Sequence, residues 1–163
     1  MWIGTRMGLY LLDKESGSYQ YIDLPVESPY ICALYQREDG ILYIGTRGAG
    51  LLVYDINKKK FIHQYRTDNC ALISDNIYTI LPRQDGSLLM GTENGITIYS
   101  PEEHFFRNWT REQGLRVLIL MQALLRPITK VRLFSGEMTV LSNFQQTYRY
   151  RSHIIRVCYC VIL

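Results

Sequence analysis

"YIGTRGAGLLVYD", Tyr43 to Asp55, joins an apolar pair, a Gly-Thr, a charged residue, a glycine turn and a second apolar run. Nearly the same phrase stands as "WIGTRMGLYLLD" from Trp2 and as "LMGTENGITIYS" from Leu89. A catalytic motif normally occurs once in a domain, whereas a phrase that returns at a fixed interval is the mark of a structural repeat. The pairs Gly4-Thr5, Gly45-Thr46 and Gly91-Thr92 lie 41 and 46 residues apart. That period belongs either to propeller blades or to helical repeats.

Periodicity decides between them. "IYTILPRQDGSLLMGT", Ile77 to Thr92, has no apolar stripe at helical spacing. It has short β-branched and aromatic runs, with Asp85-Gly86 inside it and Asn94-Gly95 just beyond, which is a hairpin signal. Ile31 to Thr46 aligns with Ile77 to Thr92 without a gap, matching Asp39-Gly40 to Asp85-Gly86. Each unit therefore reads as four antiparallel strands. The first unit of this kind predicts strands at Tyr30–Gln36, Ile41–Thr46, Leu51–Asp55 and Lys60–Tyr65. The second predicts Ile77–Arg83, Ser87–Thr92, Ile96–Ser100 and Phe105–Trp109, reached through the longer link "RTDNCALISDN". Four-stranded meanders joined by a longer return are blades of a β-propeller. Strands packed on both faces are apolar in runs instead of strictly alternating. Gly8, Gly50 and Gly95 stand where tight turns ask for positive φ. Gly4, Gly45 and Gly91 stand within strands, where a missing side chain permits a bend or a close approach. The following Thr5, Thr46 and Thr92 either hydrogen-bond locally or simply favour the strand.

The 163 residues suffice for one domain, and 47% hydrophobic with 20% charged residues is globular composition. A net charge of +3 with no basic stripe excludes a nucleic-acid partner. Lys58-Lys59-Lys60 reads as a solvated hairpin turn. Cys32 and Cys70 stand alone, Cys158 and Cys160 sit two apart in an apolar tail, and no Cys-x-x-Cys occurs, so no metal and no cofactor is expected. The run Val117 to Met121 is far short of a membrane span, and since Met1 leads straight into a strand phrase the opening residues do not read as a signal peptide.

The phrase, with its preceding Asp-Gly hairpin, its aromatic-rich fourth strand and the linker "ALISDNIYTI", resembles the two-component regulator propeller repeat. The likeness covers about residues 1 to 115. It implies the extracytoplasmic, periplasmic sensor region of a hybrid histidine kinase, with an oligosaccharide ligand and further propeller blades as partners. The expected fold is all-β: an incomplete propeller of four-stranded antiparallel blades with an irregular C-terminal tail. The expected division is a partial blade over 1–29 lacking its first strand, a complete blade and linker over 30–75, a complete blade over 76–114, and a non-repeat tail over 115–163. A propeller needs at least four blades to close, so the chain reads as a piece of a sensor. No kinase phosphoacceptor segment, ATP lid or receiver domain is recognisable.

The tail breaks the pattern. It has a single glycine, Gly136, a single acidic residue, Glu137, and no Asp-Gly or Asn-Gly hairpin. Reading the codons of Ser135 to Phe144 one nucleotide earlier permits a string in the register of "GTENGITIY". Two readings stay open: a segment out of frame, or an authentic divergent tail with a short helix over 117–125.

No set of residues converges on catalysis. His63, His104 and His153 are far apart in sequence, and no nucleophile elbow is present. Glu102-Glu103 read as a solvated turn. The residues after each Gly-Thr, Arg6, Arg47 and Glu93, fall at the same point of successive units, on a turn between second and third strands. Loops on a rigid scaffold often carry function, which makes these three the ligand-binding candidates. A non-catalytic sensor is the leading expectation. The alternatives are a propeller lyase related to streptogramin lyases, which would need a histidine and acidic residues at the central channel, and a plain interaction scaffold.

Overall fold

The computed structural model describes residues 1–27 and 29–110, together with the backbone of two short strands further on. Every regular element among the described residues is a strand. Strands β1 (Trp2–Thr5), β2 (Gly8–Leu12) and β3 (Tyr19–Ile22) form a three-stranded antiparallel meander. Strands β4 (Ile31–Gln36), β5 (Ile41–Thr46), β6 (Leu51–Asp55) and β7 (Lys60–Tyr65) form a four-stranded meander in sequence order. Strands β8 (Ile77–Pro82), β9 (Leu88–Thr92), β10 (Gly95–Ser100) and β11 (Phe105–Thr110) repeat it. The strands match the sequence expectation to within a residue at each end. The tail readings, the shifted frame and the helix over 117–125 among them, lie outside the described residues. Two strands there, β12 (Arg149–Tyr150) and β13 (His153–Ile154), pair antiparallel.

The two four-stranded sheets agree in detail. Ile31 faces Thr46 and Ala33 faces Gly45, with a bulge between; Ile77 faces Thr92 and Thr79 faces Gly91, with the same bulge. A bulge inserts one residue and bends its strand. The extra residues are Cys32 and Tyr78, at aligned positions. The Asp-Gly hairpins match as well. Arg37 N donates to Ile41 O at 2.8 Å, and Arg83 N donates to Ser87 O at 2.8 Å. Asp39 Oδ1 accepts from Ile41 N and Asp85 Oδ1 accepts from Ser87 N, the local carboxylate-to-backbone bond that makes Asp a turn residue.

Strands β4 and β8 pack on each other, and the strand bearing the Gly-Thr pair in one sheet packs on the first strand of the next, β1 on β4 and β5 on β8. First strands converging at the centre of a stack of sheets define a propeller arrangement. Each joint is dry. Between the first two sheets lie Trp2, Leu9, Ile31, Leu34, Leu42, Ile44, Leu52 and Tyr54; between the second pair lie Tyr43, Leu51, Val53, Ile77, Ile80, Leu88, Met90 and Tyr99. Strand β6 is buried along its whole length because its alternate residues enter different joints. This is why its sequence is apolar in a run.

The Gly-Thr pair has a purpose in each member. A Cβ on Gly45 would stand 2.9 Å from Ile77 Cγ2 and 3.1 Å from the Ile77 carbonyl oxygen; one on Gly4 would stand 2.5 Å from Ile31 Cγ2. Each glycine is a seat for the isoleucine that opens the next sheet. The threonine ties the following turn: Thr46 Oγ1 donates to Gly50 O at 2.8 Å and accepts from Ala49 N at 3.0 Å. Thr5 and Thr92 make the same bond to Gly8 O and Gly95 O, each at 3.0 Å.

Candidate functional site

In a meander the β5–β6 turn and the start of β4 lie at one end of the sheet, and the Asp-Gly hairpin lies at the other. The β1–β2, β5–β6 and β9–β10 turns therefore share one end of the stack with the chain segments that enter β4 and β8. Arg6, Arg47 and Glu93 occupy these turns at equivalent points. All three side chains are exposed.

Their surroundings differ. Arg6 and Arg47 belong to neighbouring sheets yet share one ring. The Arg6 guanidinium carbon is 5.4 Å from the Tyr30 centroid and that of Arg47 is 5.7 Å away, within the range of cation–π attraction. Tyr30 immediately precedes β4, and its carbonyl accepts from Arg47 N at 2.9 Å. Asn76 holds the aligned place before β8 and forms a backbone bridge with Arg47. Glu93 is tied down: its Oε1 accepts from Asn76 Nδ2 at 2.8 Å and from Ser74 Oγ at 3.2 Å. Below this rim stand the bulge residues. Burial pushes the Cys32 thiol above its ordinary range, opposed by the Arg47 charge. Burial also raises the Tyr78 phenol, with the Glu93 charge adding to the shift and Arg47 opposing it.

Sequence reasoning did not find Tyr30. It lies outside the repeated phrase, and its aligned residue is asparagine, so no repeat signal marks it. Nor did the sequence show that two histidines meet. The His63 and His104 rings lie with centroids 5.0 Å apart, although His63 is on β7 and His104 is in the β10–β11 turn. His104 Nδ1 is 2.6 Å from Tyr65 Oη, which accepts from Tyr99 Oη at 3.0 Å. Phe106 stacks on Tyr99 with centroids 4.6 Å apart. The alternation of His63 and Tyr65 on β7 is the sequence signal that could have found half of this cluster. It belongs to the outer strands, away from β4 and β8. Among the described residues no group of three or more His, Cys, Asp or Glu side chains is arranged to hold a metal.

No family model matches the chain, and no curated protein matches it. Solved structures do. The extracellular domain of the hybrid two-component system BT3049 from B. thetaiotaomicron superposes at a TM-score of 0.61 with 28% identity, over 70% of this chain and 16% of that one. The extracellular domain of BT4673 from B. thetaiotaomicron, described as a one-component system, gives 0.62 with 19% identity, over 70% of this chain and 17% of that one. A second structure of the BT4673 extracellular domain, described as a hybrid two-component system, gives 0.54 with 22% identity, over 66% and 14%. These sheets are similar in fold to parts of those extracellular domains, in keeping with the resemblance carried by the repeated phrase. The chain spans about a sixth of the length of the extracellular domains it matches.

Proposed function

We propose that this chain is a section of a non-catalytic β-propeller sensor in two-component signalling, binding its ligand on the face where the Gly-Thr turns gather. The observation that carries the reading is the convergence of Arg6, Arg47 and Tyr30 on that face, on a scaffold like that of the BT3049 extracellular domain. Rigid strands hold these side chains while the turns that bear them stay open to solvent, the division of labour found where loops carry function. We read 30–75 and 76–114 as complete blades and 1–29 as part of another, with further blades of a parent propeller as partners. The location is periplasmic, after the extracellular domains it resembles, and the ligand class is oligosaccharide. A sensor passes on its signal only if the ligand favours one arrangement of the domain over another.

The histidines weigh against the lyase alternative, since His63 is on β7 and His104 in the turn before β11, away from the first strands β4 and β8. The test is isothermal titration of the full chain against a panel of polysaccharide fragments, with product analysis in parallel. Binding weakened by Tyr30→Ala and Arg47→Ala, without cleavage, is the expected result. Turnover abolished by His63→Ala or His104→Ala overturns it.

A further inference from the structure

Charge is balanced differently at three places on the described surface. The depression between the β8–β9 hairpin and the β10–β11 turn contains Arg83, Asp85, Glu102, Glu103 and Arg107, where Arg83 pairs with Asp85 at 3.2 Å. The His63–Tyr65–His104 cluster has its shortest polar contact made within itself. The Gly-Thr face is different. Among the described residues Arg37 pairs with Asp39, Arg66 lies near Asp68 and Asp75, and Arg83 pairs with Asp85. No carboxylate of the described residues lies within ion-pair distance of Arg6 or Arg47 in the same way. Glu93, the acidic member of the turn set, accepts from Ser74 and Asn76 instead.

From this arrangement we infer that the ligand of the Gly-Thr face is anionic, an oligosaccharide whose carboxylate or sulfate is received between Arg6 and Arg47. The inference rests on the reading of that face as the sensor's binding face. Two guanidiniums gathered on one aromatic ring carry positive charge with no carboxylate of the described residues in ion-pair distance, and the Tyr30 ring fixes where it stands. Guanidinium forks match the paired oxygens of a carboxylate or sulfate. Arg6 and Arg47 come from adjacent sheets, so an anion bridging them would also join the sheets. That is a route by which occupancy could bias one arrangement over another. Glu93, on the third turn, is held by Asn76, whose backbone bridges Arg47, so negative charge stands on the Arg47 side and gives an acidic ligand a polarity.

The experiment titrates the full 163-residue chain with trigalacturonate, a sulfated galactotriose and plain galactotriose. These probes separate carboxylate from sulfate and both from the neutral sugar. At low salt at least one acidic probe is expected to bind at least tenfold tighter than galactotriose. The advantage should shrink with added salt and vanish in Arg6→Gln/Arg47→Gln. Arg47→Lys keeps the charge without the fork and should retain part of it. Both arginines are exposed, so thermal unfolding checks that the variants stay folded. Galactotriose binding as tightly as the acidic probes, or an acidic preference untouched by Arg6→Gln/Arg47→Gln, overturns the anion assignment and leaves the sensor reading standing. Binding of none of the three overturns the assignment, and failure of the wider polysaccharide panel as well overturns the sensor reading with it.

Discussion

Thr46 is fully buried, and its hydroxyl holds both Gly50 O and Ala49 N. Removing a hydroxyl while leaving its buried partners in place costs the desolvation of those partners, about 1–3 kcal/mol. Thr46→Val keeps the shape and should lose about that much in urea unfolding. Gly45 tells of packing. An alanine there meets Ile77 side chain and backbone at once, and overpacking of this kind costs about 1–3 kcal/mol. Gly45→Ala should destabilise by that amount, and a double-mutant cycle with Ile77→Ala should show coupling, because the smaller side chain frees the space. Additive effects would show that the two positions do not meet. The recurrence of Gly-Thr was plain in the sequence, but its meaning was not. What Gly45 must clear is set by a residue in the next unit, which no local pattern reveals. Tyr30 stayed hidden for the opposite reason, since its value comes from two arginines of different sheets and not from any motif of its own.

At the scale of the element the hairpins were legible throughout. Asp-Gly with apolar flanks specifies a turn by local chemistry alone, and both turns formed with the same bonds. That chemistry also makes them sensitive to acid. The Asp39 carboxyl is held below its ordinary value of 3.8, chiefly by the hydrogen bond from Arg37, whose Nε stands 2.8 Å from Oδ2. Asp85 is lowered too, chiefly by the Ser87 hydroxyl and then by the Ser87 amide. A carboxyl lowered by folding stabilises the fold above its unfolded value and loses that contribution as pH falls through the folded one. Melting temperature should therefore be flat near neutral pH and fall below about pH 4. Asp39→Asn/Asp85→Asn should give a shallower acid limb; an unchanged limb would show that these turns do not set acid stability. Element ends were the less legible part. Chain direction at β10 departs by one residue from the expectation because Gly95, at φ 148°, already pairs with Thr110.

At the scale of the whole molecule, two separate apolar joints hold the three meander sheets of the described residues. Ile44 is fully buried in the first joint and Met90 in the second. Ile44→Ala and Met90→Ala should each cost about 2–5 kcal/mol. Sites that share no partners add to within about 0.5 kcal/mol, so the double variant should show the sum; a large departure would mean that the joints communicate. At high pH the second joint should fail through its tyrosines. Burial pushes Tyr43 from 10.0 up to about 12. The unfolded chain releases that proton first, so stability is complete below about pH 10 and is lost as pH rises toward the folded value. Tyr43→Phe should flatten the alkaline limb of the melting curve, and an equal limb in both proteins would place the alkaline sensitivity elsewhere. Contacts between sheets, such as His63 with His104, were the least legible feature of all. The repeat period says that sheets follow one another, but not which outer-strand side chains face across the gap.

The glycine seat described for Gly4 and Gly45 gives the array a direction. At both joints described the strand bearing the Gly-Thr pair offers a hollow and the next sheet's first strand offers a protruding isoleucine, Gly4 to Ile31 and Gly45 to Ile77, so hollow meets protrusion in chain order. Such a coupling is a head-to-tail joint, made by the same pair of residue types at both steps. A unit can therefore be duplicated or deleted whole without any joint being redesigned.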